Sequence, residues 1–312
     1  MKKFLAILLV MMLLVPTLAL GEEVMAKQKW GFIVGSFEHN FYQVVASGIR
    51  EASEKLGLVE NQTYFVTDAN LEADKAIDNI NNFIANQCTA IALAANDASG
   101  VLPGIQAGVD AGVLIFNFDS AAADQTNITC FVGTDNYQGG VLGGQELLRF
   151  SKDGDTVAII GNPVGESTLD RENGALEALK GADRKVLSGY NYEGDANIAQ
   201  TIMESILISN PEVAAVFVVG DPAAIGALAA IKAAGSECKI IGFDGNPEAF
   251  EAMADEENGK YWVSEVCQSA KMIGMQIVEQ MHKYVTTGEV DSDGWILIAP
   301  YVVDHENLAE YL

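Results

Sequence analysis

The stretch WGFIVGSFEHNFYQVVASGIR, residues 30–50, joins a short apolar run to an amphipathic helix through a loop of polar and aromatic residues. Residues 31–34 are continuously apolar, which is typical of a strand that is buried on both faces of a parallel sheet. The apolar residues between Phe41 and Ile49 recur at helical spacing. This stretch therefore predicts one strand-loop-helix unit of an α/β fold.

The same unit recurs along the rest of the chain. Further strands are predicted over residues 62–67, 89–94, 113–118, 128–133, 156–161, 185–191, 214–219, 239–243 and 261–266. Helices are predicted over residues 71–86, 99–111, 137–151, 168–180, 196–209, 223–234, 247–256 and 270–286. This alternation predicts parallel sheets with helices on both faces, and so many strands in one open sheet would exceed the usual limit. We therefore expect an α/β protein with two doubly wound parallel-sheet lobes and a break near residues 134–140.

The two lobes are expected to be discontinuous in sequence. The predicted N-terminal lobe comprises residues 28–134 plus 269–298, and the predicted C-terminal lobe comprises residues 135–268 plus 299–312. No low-complexity linker marks the break, which indicates that the chain crosses between the lobes several times. Several crossings form a hinge, and a hinge lets two lobes close on a ligand.

The N-terminal sequence MKKFLAILLVMMLLVPTLALG, residues 1–21, has the pattern of an export signal. Two lysines precede an apolar run, and small residues follow at positions 19, 21 and 26, where cleavage is expected. The alternative is a membrane anchor, but the uninterrupted apolar run is shorter than the roughly 20 residues that a spanning helix needs. We therefore expect a cleaved signal peptide and a periplasmic mature protein.

The composition argues against several classes of function. The chain carries 18 basic and 43 acidic residues, a net charge of −25. Such a chain repels phosphate backbones, so we expect no nucleic-acid partner. The four cysteines are far apart and show no metal-ligand spacing, so no metal or other cofactor is predicted. A disulfide is possible in an exported protein, but free buried thiols are favoured because two of the cysteines lie in apolar, strand-like runs.

Motifs for catalysis are incomplete. The segment GESTL lacks the second glycine of a GxSxG nucleophile elbow because Leu169 occupies that position. The glycines of YQGGVLGGQ, residues 137–145, are not followed by the Lys-Ser or Lys-Thr of a phosphate loop, so close helix packing is their better explanation. We predict no catalytic residues and no enzyme activity, with a glycoside hydrolase as a less favoured alternative.

Polar and aromatic residues cluster after the predicted strands, and the carboxyl edge of a parallel sheet is where ligands bind in such folds. These residues are His39, Phe41, Tyr42, Asp119, Ser120, Arg171, Asp221, Asp244 and Gln268. Each could instead be a helix cap, a surface charge or a core residue. Together, however, they suit one task, because carboxylates, Arg and Gln pair with neighbouring hydroxyls while aromatic rings cover C–H faces. A small, sugar-like polyol is therefore the expected ligand.

Several motifs in order resemble the periplasmic sugar-binding proteins of the ribose- and galactose-binding type, which serve ABC importers. The motifs are NFYQVVASGIREASEKLG (40–57), GVLIFNFDS (112–120), VGTDNYQGG (132–140), DRENGA (170–175), GDPAAIGALAAIKAAG (220–235), IIGFDGNPEA (240–249), VCQSAKMIG (266–274) and VVDHENL (302–308). The resemblance implies the type I periplasmic binding fold and a role as a monomeric substrate-binding component that delivers a monosaccharide to a membrane permease. The alternative partner is a chemoreceptor or sensor, with a nucleoside or signalling furanose as ligand.

The resemblance also assigns roles to individual positions. It implies stacking by Phe41 and Tyr42 and hydrogen bonding by Asp119, Arg171, Asp244 and Gln268, and His39 stands where the family often has Asn or Asp. An aromatic contact from the second lobe is implied at Tyr190 or Tyr192, and Tyr192 is included among the predicted site residues. Three positions depart from the ribose-binding pattern: Gly35, Ser120 and Gly220. Loss of the family's larger polar side chains at these three positions is expected to leave room and to remove donors, so ribose itself is not implied.

Overall fold

The computed structural model describes residues 23–312, and the predicted signal peptide over residues 1–21 lies outside them. By its internal packing the chain divides into two compact units. Unit 1 contains the described residues up to Gly133 together with Ala270–Ile296, and unit 2 contains Thr134–Ser269 and Leu297–Leu312. Within the described residues no helix is long and apolar enough to cross a membrane.

Unit 1 is built on a sheet with the strand order β11-β5-β4-β3-β1-β2. Its strands are β1 (Trp30–Val34), β2 (Tyr64–Asp68), β3 (Ala90–Leu93), β4 (Leu114–Phe118), β5 (Phe131–Thr134) and β11 (Trp295–Ile298). Its helices are Asn40–Lys55, Ala73–Ala85, Leu102–Asp110 and Ala270–Thr287, with a short 3₁₀ helix at Ser292–Gly294. Strands β1 to β5 pair in parallel, and every residue of β1 and β3 is buried, as the apolar runs predict.

Unit 2 repeats this architecture with the strand order β12-β10-β9-β8-β6-β7. Its strands are β6 (Thr156–Gly161), β7 (Lys185–Asn191), β8 (Ala215–Val218), β9 (Lys239–Asp244), β10 (Trp262–Cys267) and β12 (Tyr301–Asp304). Its helices are Asn136–Arg149, Glu166–Ala178, Ala196–Ser209, Asp221–Ala234 and Pro247–Ala254, with a 3₁₀ helix at Leu308–Glu310. The predicted fold class, two parallel-sheet α/β lobes, is confirmed.

Two edge strands were not predicted from the sequence. Strands β11 and β12 each have only four residues, and β12 pairs with β10 in the antiparallel direction. Every β11 residue is at least partly exposed, and β12 buries only one residue fully, so neither has the continuous apolar run of a central strand. The sheet of unit 2 is consequently mixed rather than entirely parallel.

Glycines allow two helices of unit 2 to approach closely. A β-carbon at Gly140 would overlap the backbone of Arg171, and one at Gly144 would lie 2.6 Å from the carbonyl oxygen of Ala175. The helix Glu166–Ala178, which carries Arg171, is thereby fixed against Asn136–Arg149. The prediction that the glycines of YQGGVLGGQ serve close helix packing is confirmed.

None of the four cysteines forms a disulfide in the structure. Cys88, Cys130, Cys238 and Cys267 are buried and carry free thiols, as the sequence favoured. Burial raises the pKa of Cys88 to about 11 and the pKa of both Cys130 and Cys238 to about 12. These thiols behave as small apolar core groups.

Candidate ligand-binding site

The loop after β4 in unit 1 presents a carboxylate that is fixed by hydrogen bonds. Oδ2 of Asp119 accepts a hydrogen bond from the hydroxyl of Tyr42 at 2.7 Å and another from Oγ of Ser120 at 2.9 Å. The Tyr42 hydroxyl in turn accepts from Nδ2 of Asn96 at 2.6 Å. Asp119 has φ +61°, so the chain turns sharply where the strand ends. Residues from three segments of unit 1 therefore set the direction of one carboxylate.

Tyr42 is a donor at neutral pH. Its side chain is buried, and burial together with the neighbouring Asp119 raises the pKa of the phenol well above its ordinary value. The hydroxyl proton is thus retained and directed at the carboxylate. The resemblance assigns Tyr42 a stacking role, and the structure adds that its hydroxyl orients Asp119.

Asn117 holds this loop in place and was not identified as a site residue from the sequence. Its buried side chain donates from Nδ2 to the carbonyl oxygen of Leu93 at 2.6 Å and accepts at Oδ1 from the backbone N–H of Ala122 at 2.7 Å. It therefore ties the end of β3 to the loop that carries Asp119 and Ser120. Its position inside the strand sequence FNF suggested only a strand residue, because the pattern does not show where an amide points.

The remaining predicted residues of unit 1 differ in their surroundings. Phe41 is partly buried and packs edge-to-face on Tyr42, with the ring centroids 5.2 Å apart. His39 is exposed and precedes the helix Asn40–Lys55, and its side chain makes no hydrogen bond within residues 23–312. The structure thus groups Phe41 with Tyr42, Asp119 and Ser120, and it leaves His39 outside this network.

The space beside Gly35 is filled. A β-carbon at this position would overlap the ring of Tyr42 and would lie 2.7 Å from Oδ1 of Asn96. The expectation that Gly35 leaves room for a ligand is wrong in this respect, because the aromatic ring of the same unit occupies that room.

In unit 2, Arg171 is buried and its hydrogen bonds fix its orientation. Nε donates to Oδ1 of Asn136 at 2.8 Å, and Nη1 donates to the carbonyl oxygen of Val219 at 2.8 Å and to Oδ1 of Asp244 at 3.1 Å. The guanidinium also lies over the ring of Phe243. Within residues 23–312, Nη2 makes no hydrogen bond of its own.

Asp244, the last residue of β9, collects donors from three segments. Besides Arg171, Oδ1 accepts from Nε2 of Gln268 at 2.8 Å, and Oδ2 accepts from the backbone N–H of Asp221 at 3.3 Å. Burial raises the pKa of Asp244, while Arg171 and the hydrogen-bond donors oppose that rise. Gln268 is itself held by Thr134, whose hydroxyl donates to its Oε1 at 2.7 Å.

Tyr192 belongs to the same array. Its ring is buried, and burial followed by the charge of Asp244 raises the pKa of its hydroxyl well above the ordinary value. A β-carbon at Gly220 would lie 2.7 Å from that hydroxyl, so the space left by this glycine is also occupied by a tyrosine. Tyr190 instead packs partly buried against the core of unit 2. Of the two aromatic candidates, the structure places Tyr192 beside the charged residues.

Asp221 lies deeper than the sequence suggested. It is the first residue of the helix Asp221–Ala234, it is 3 % exposed, and its Oδ2 accepts from the backbone N–H of Asn246 at 3.1 Å. Glu265, a fully buried residue of β10, accepts from the neighbouring backbone N–H of Gly245. Asp221 therefore supports the loop after Asp244 from within the unit.

The structure brings most of the predicted residues together, one group in each unit. In unit 2 the group is Arg171, Tyr192, Asp221, Asp244 and Gln268. Sequence reasoning missed the polar residues that orient these groups, which are Asn96, Asn117, Thr134, Asn136 and Glu265. Asn96 could have been found, since it follows a predicted strand just as Asp119 does. The assignment of these residues to ligand contact stays a prediction.

Comparisons with known proteins identify the family of the chain. Residues 30–289 match the family described as periplasmic binding protein domain. The chain belongs to this family. Its relatives include the ribose import binding protein of Bacillus subtilis (strain 168), which is 25% identical over 252 residues that cover 80% of this chain and 79% of the relative.

Solved structures of this family share the fold. A periplasmic solute-binding protein from Actinobacillus succinogenes 130z with bound D-allose has a TM-score of 0.80 at 24% identity, covering 91% of this chain and 100% of the other. A periplasmic ribose ABC transporter structure from Conexibacter woesei DSM 14684 has a TM-score of 0.83 at 21% identity, covering 91% and 94%. Each similarity extends over both units of the chain.

Proposed function

We propose that this periplasmic binding protein captures a neutral monosaccharide or a similar small polyol and delivers it to a membrane ABC importer. The observation that carries the proposal is the array in unit 2 in which the Asp244 carboxylate is held by Arg171 and Gln268. A carboxylate and a guanidinium fixed side by side offer an acceptor and a donor at the spacing of vicinal hydroxyls. The identity of the relatives as sugar-binding components of importers supports the same conclusion.

The charges of the two arrays favour an uncharged ligand. Asp119 and Asp244 contribute two carboxylates, and Arg171 is the guanidinium hydrogen-bonded to Asp244. A phosphorylated or carboxylated sugar would meet net negative charge in addition to the −25 of the whole chain. A neutral polyol avoids this repulsion and still satisfies the oriented hydrogen-bonding groups, which would otherwise lose water without compensation.

We propose further that one ligand contacts the arrays of both units, as the sequence suggests, and that hinge closure follows binding. The same proposal includes export with removal of the signal peptide and action as a monomer. It also includes recognition by a permease rather than by a chemoreceptor. They are supported by the family and by the N-terminal sequence pattern.

A thermal-shift screen of the purified mature protein tests the ligand class. The panel contains D-ribose, D-allose and other pentoses and hexoses, inositols, nucleosides and one sugar phosphate. A ligand present at about 1,000 times its Kd stabilises the folded state by about 4 kcal/mol. We expect a neutral sugar or polyol to give the largest shift. A nucleoside as the sole stabilising compound would replace the proposed class, and hydrolysis of a glycoside by the protein would contradict a purely binding role.

Variants then test the site with the sugar that gives the largest shift. Asp244→Ala and Asp119→Ala are each expected to weaken binding roughly 10- to 100-fold, because each removes a charge-assisted hydrogen bond. Asp78→Ala removes an exposed carboxylate from the helix Ala73–Ala85 and serves as the matched control. Isothermal titration calorimetry provides the affinities. Parent-like binding by Asp244→Ala would remove unit 2 from the site, and parent-like binding by Asp119→Ala would remove unit 1.

A further inference from the structure

Unit 2 buries two carboxyl groups next to one another. Asp221 begins the helix Asp221–Ala234 and is 3 % exposed, and Glu265 of β10 is 0 % exposed. The adjacent residues Gly245 and Asn246 donate their backbone N–H groups to Glu265 and to Asp221 respectively, which brings the two carboxyl groups close together. Two carboxylates that are buried so close together repel strongly, and such a pair keeps a proton that isolated acids would lose.

The hydrogen bonds show where this proton is needed. Oε1 of Glu265 accepts from the backbone N–H of Gly245 at 2.9 Å, and Oε2 accepts from Nε1 of Trp262 at 3.0 Å. Oδ2 of Asp221 accepts from the backbone N–H of Asn246. Oδ1 of Asp221 is buried, and within residues 23–312 no N–H or hydroxyl group donates to it. A protonated Oδ1 donates a hydrogen bond to Glu265, and Oδ1 then has a partner. Without a partner, a buried oxygen destabilises the folded state by about 1–3 kcal/mol.

We propose that Asp221 and Glu265 share a single proton at neutral pH and that the protonated pair positions the carboxylate of Asp244. The pair binds the backbone N–H groups of the two residues that follow Asp244, and the backbone N–H of Asp221 donates to Oδ2 of Asp244 itself. Asp244 has φ +133°, a conformation that is strained for any residue with a side chain. The hydrogen bonds from the pair hold the loop in this conformation.

Charged and titratable groups surround the pair on several elements of unit 2. They are Asp244 on β9, Arg171 on the helix Glu166–Ala178, Tyr192 after β7 and Cys267 on β10. Burial is the main cause that raises the pKa of both Asp221 and Glu265. Loss of the shared proton would add a negative charge beside Asp244. The single positive charge of Arg171 already balances the charge of Asp244 and would not balance a second one. The importance of Asp244 for a ligand rests on the proposed function, whereas the shared proton does not.

The pH dependence of unfolding of the unliganded protein tests the shared proton. Above about pH 5 both acids are ionised in the unfolded chain, so unfolding releases one proton from the pair. The folding equilibrium constant should therefore fall up to tenfold per pH unit as the pH rises through the neutral range. In Glu265→Gln an amide N–H replaces the proton, and this contribution should vanish. Glu172→Gln, which changes a buried glutamate that accepts from the backbone N–H of Gly189, should keep the slope of the parent.

A second measurement keeps the test decisive if Glu265→Gln does not fold. Carboxyl ¹³C spectra of the parent should contain a glutamate signal and an aspartate signal that titrate together above neutral pH. Asp221→Asn should abolish that titration. Equal pH slopes of the parent and Glu265→Gln, or ¹³C spectra in which every carboxyl titrates in the acid range, would overturn the shared proton.

Amide hydrogen exchange tests the positioning role without any ligand. Glu265→Ala should accelerate exchange of the Gly245 amide about tenfold, because its hydrogen bond to the glutamate is lost, whereas the Asn246 amide keeps Asp221 as its acceptor. Glu265→Gln should leave the Gly245 amide close to the parent, since its side-chain oxygen still accepts. An equal acceleration of all amides in Glu265→Ala would indicate general destabilisation only and would overturn the positioning role. Failure of the sugar screen would leave these results unaffected, so the two proposals can be separated.

Discussion

The guanidinium carbon of Arg171 lies 3.9 Å from the centre of the Phe243 ring. Phe243 is fully buried and directly precedes Asp244, so adjacent residues of β9 provide Arg171 with an aromatic face and a carboxylate. A cation over an aromatic face in a desolvated setting is stabilised by up to about 2 kcal/mol. One short segment of strand therefore fixes both the position and the charge balance of the arginine.

Arg171 and Asp244 should depend on each other energetically. We expect Arg171→Met to lower the free energy of unfolding by about 3 kcal/mol, because it leaves a largely buried carboxylate without its cation. The free energy of unfolding of the double variant Arg171→Met with Asp244→Asn should fall by clearly less than the sum of the losses in the two single variants. Urea unfolding of the unliganded protein measures all three values. Additive losses would show that the ion pair is not coupled.

Tyr42 and Asn96 should behave as one unit. Tyr42→Phe removes the hydroxyl that links Asn96 to Asp119, and we expect a loss of about 1 kcal/mol in unfolding free energy. Asn96→Ala should cost a similar amount. The double variant should cost less than the sum, since both changes remove the same hydrogen bond. A loss in the double variant that equals the sum of the two single losses would argue against a series of hydrogen bonds from Asn96 through Tyr42 to Asp119.

Gly35→Ala should destabilise the protein by about 1–3 kcal/mol, because the new methyl group would overlap the Tyr42 ring. In a Tyr42→Ala background the same change should cost much less, since the ring that it meets is absent. Thermal unfolding of the four proteins gives the comparison. An unchanged cost in the Tyr42→Ala background would mean that Gly35 is required for a reason other than this contact.

The thiols should be unreactive in the folded protein. Burial raises the pKa of Cys88 to about 11 and that of Cys130 and Cys238 to about 12, so at pH 8 the folded state contains less of the reactive thiolate than the unfolded state. We expect no rapid reaction with a disulfide reagent at pH 8 in the native protein. After unfolding without a reductant, all four cysteines should react. Two or fewer reactive thiols after unfolding would reveal a disulfide.

The sequence predicts the central part of each sheet well because apolar runs report burial directly. The bounds of β6, β7 and the helix Ala196–Ser209 agree with the prediction to the residue. The edge strands β11 and β12 escape prediction because partial exposure and short length remove the apolar run on which the prediction depends.

The site is predicted less completely than the fold. Asp119 and Asp244 are found because each directly follows an apolar run, but the pattern does not show which atoms orient them. Glu265 is the clearest case: the alternation in WVSEVC gives no sign that this acid points into the unit and meets Asp221. Likewise, Tyr42 fills the space beside Gly35 and Tyr192 fills the space beside Gly220. A loop separates Tyr42 from Gly35 in sequence, and Tyr192 is distant from Gly220.

The buried thiols make the natural chain a convenient background for optical sensing. A cysteine introduced at Val164, whose side chain is 84 % exposed in the loop before the arginine-bearing helix Glu166–Ala178, would be the accessible nucleophile for a maleimide dye. Fluorescence from that dye would follow capture of a sugar in real time, and no native cysteine would first have to be replaced.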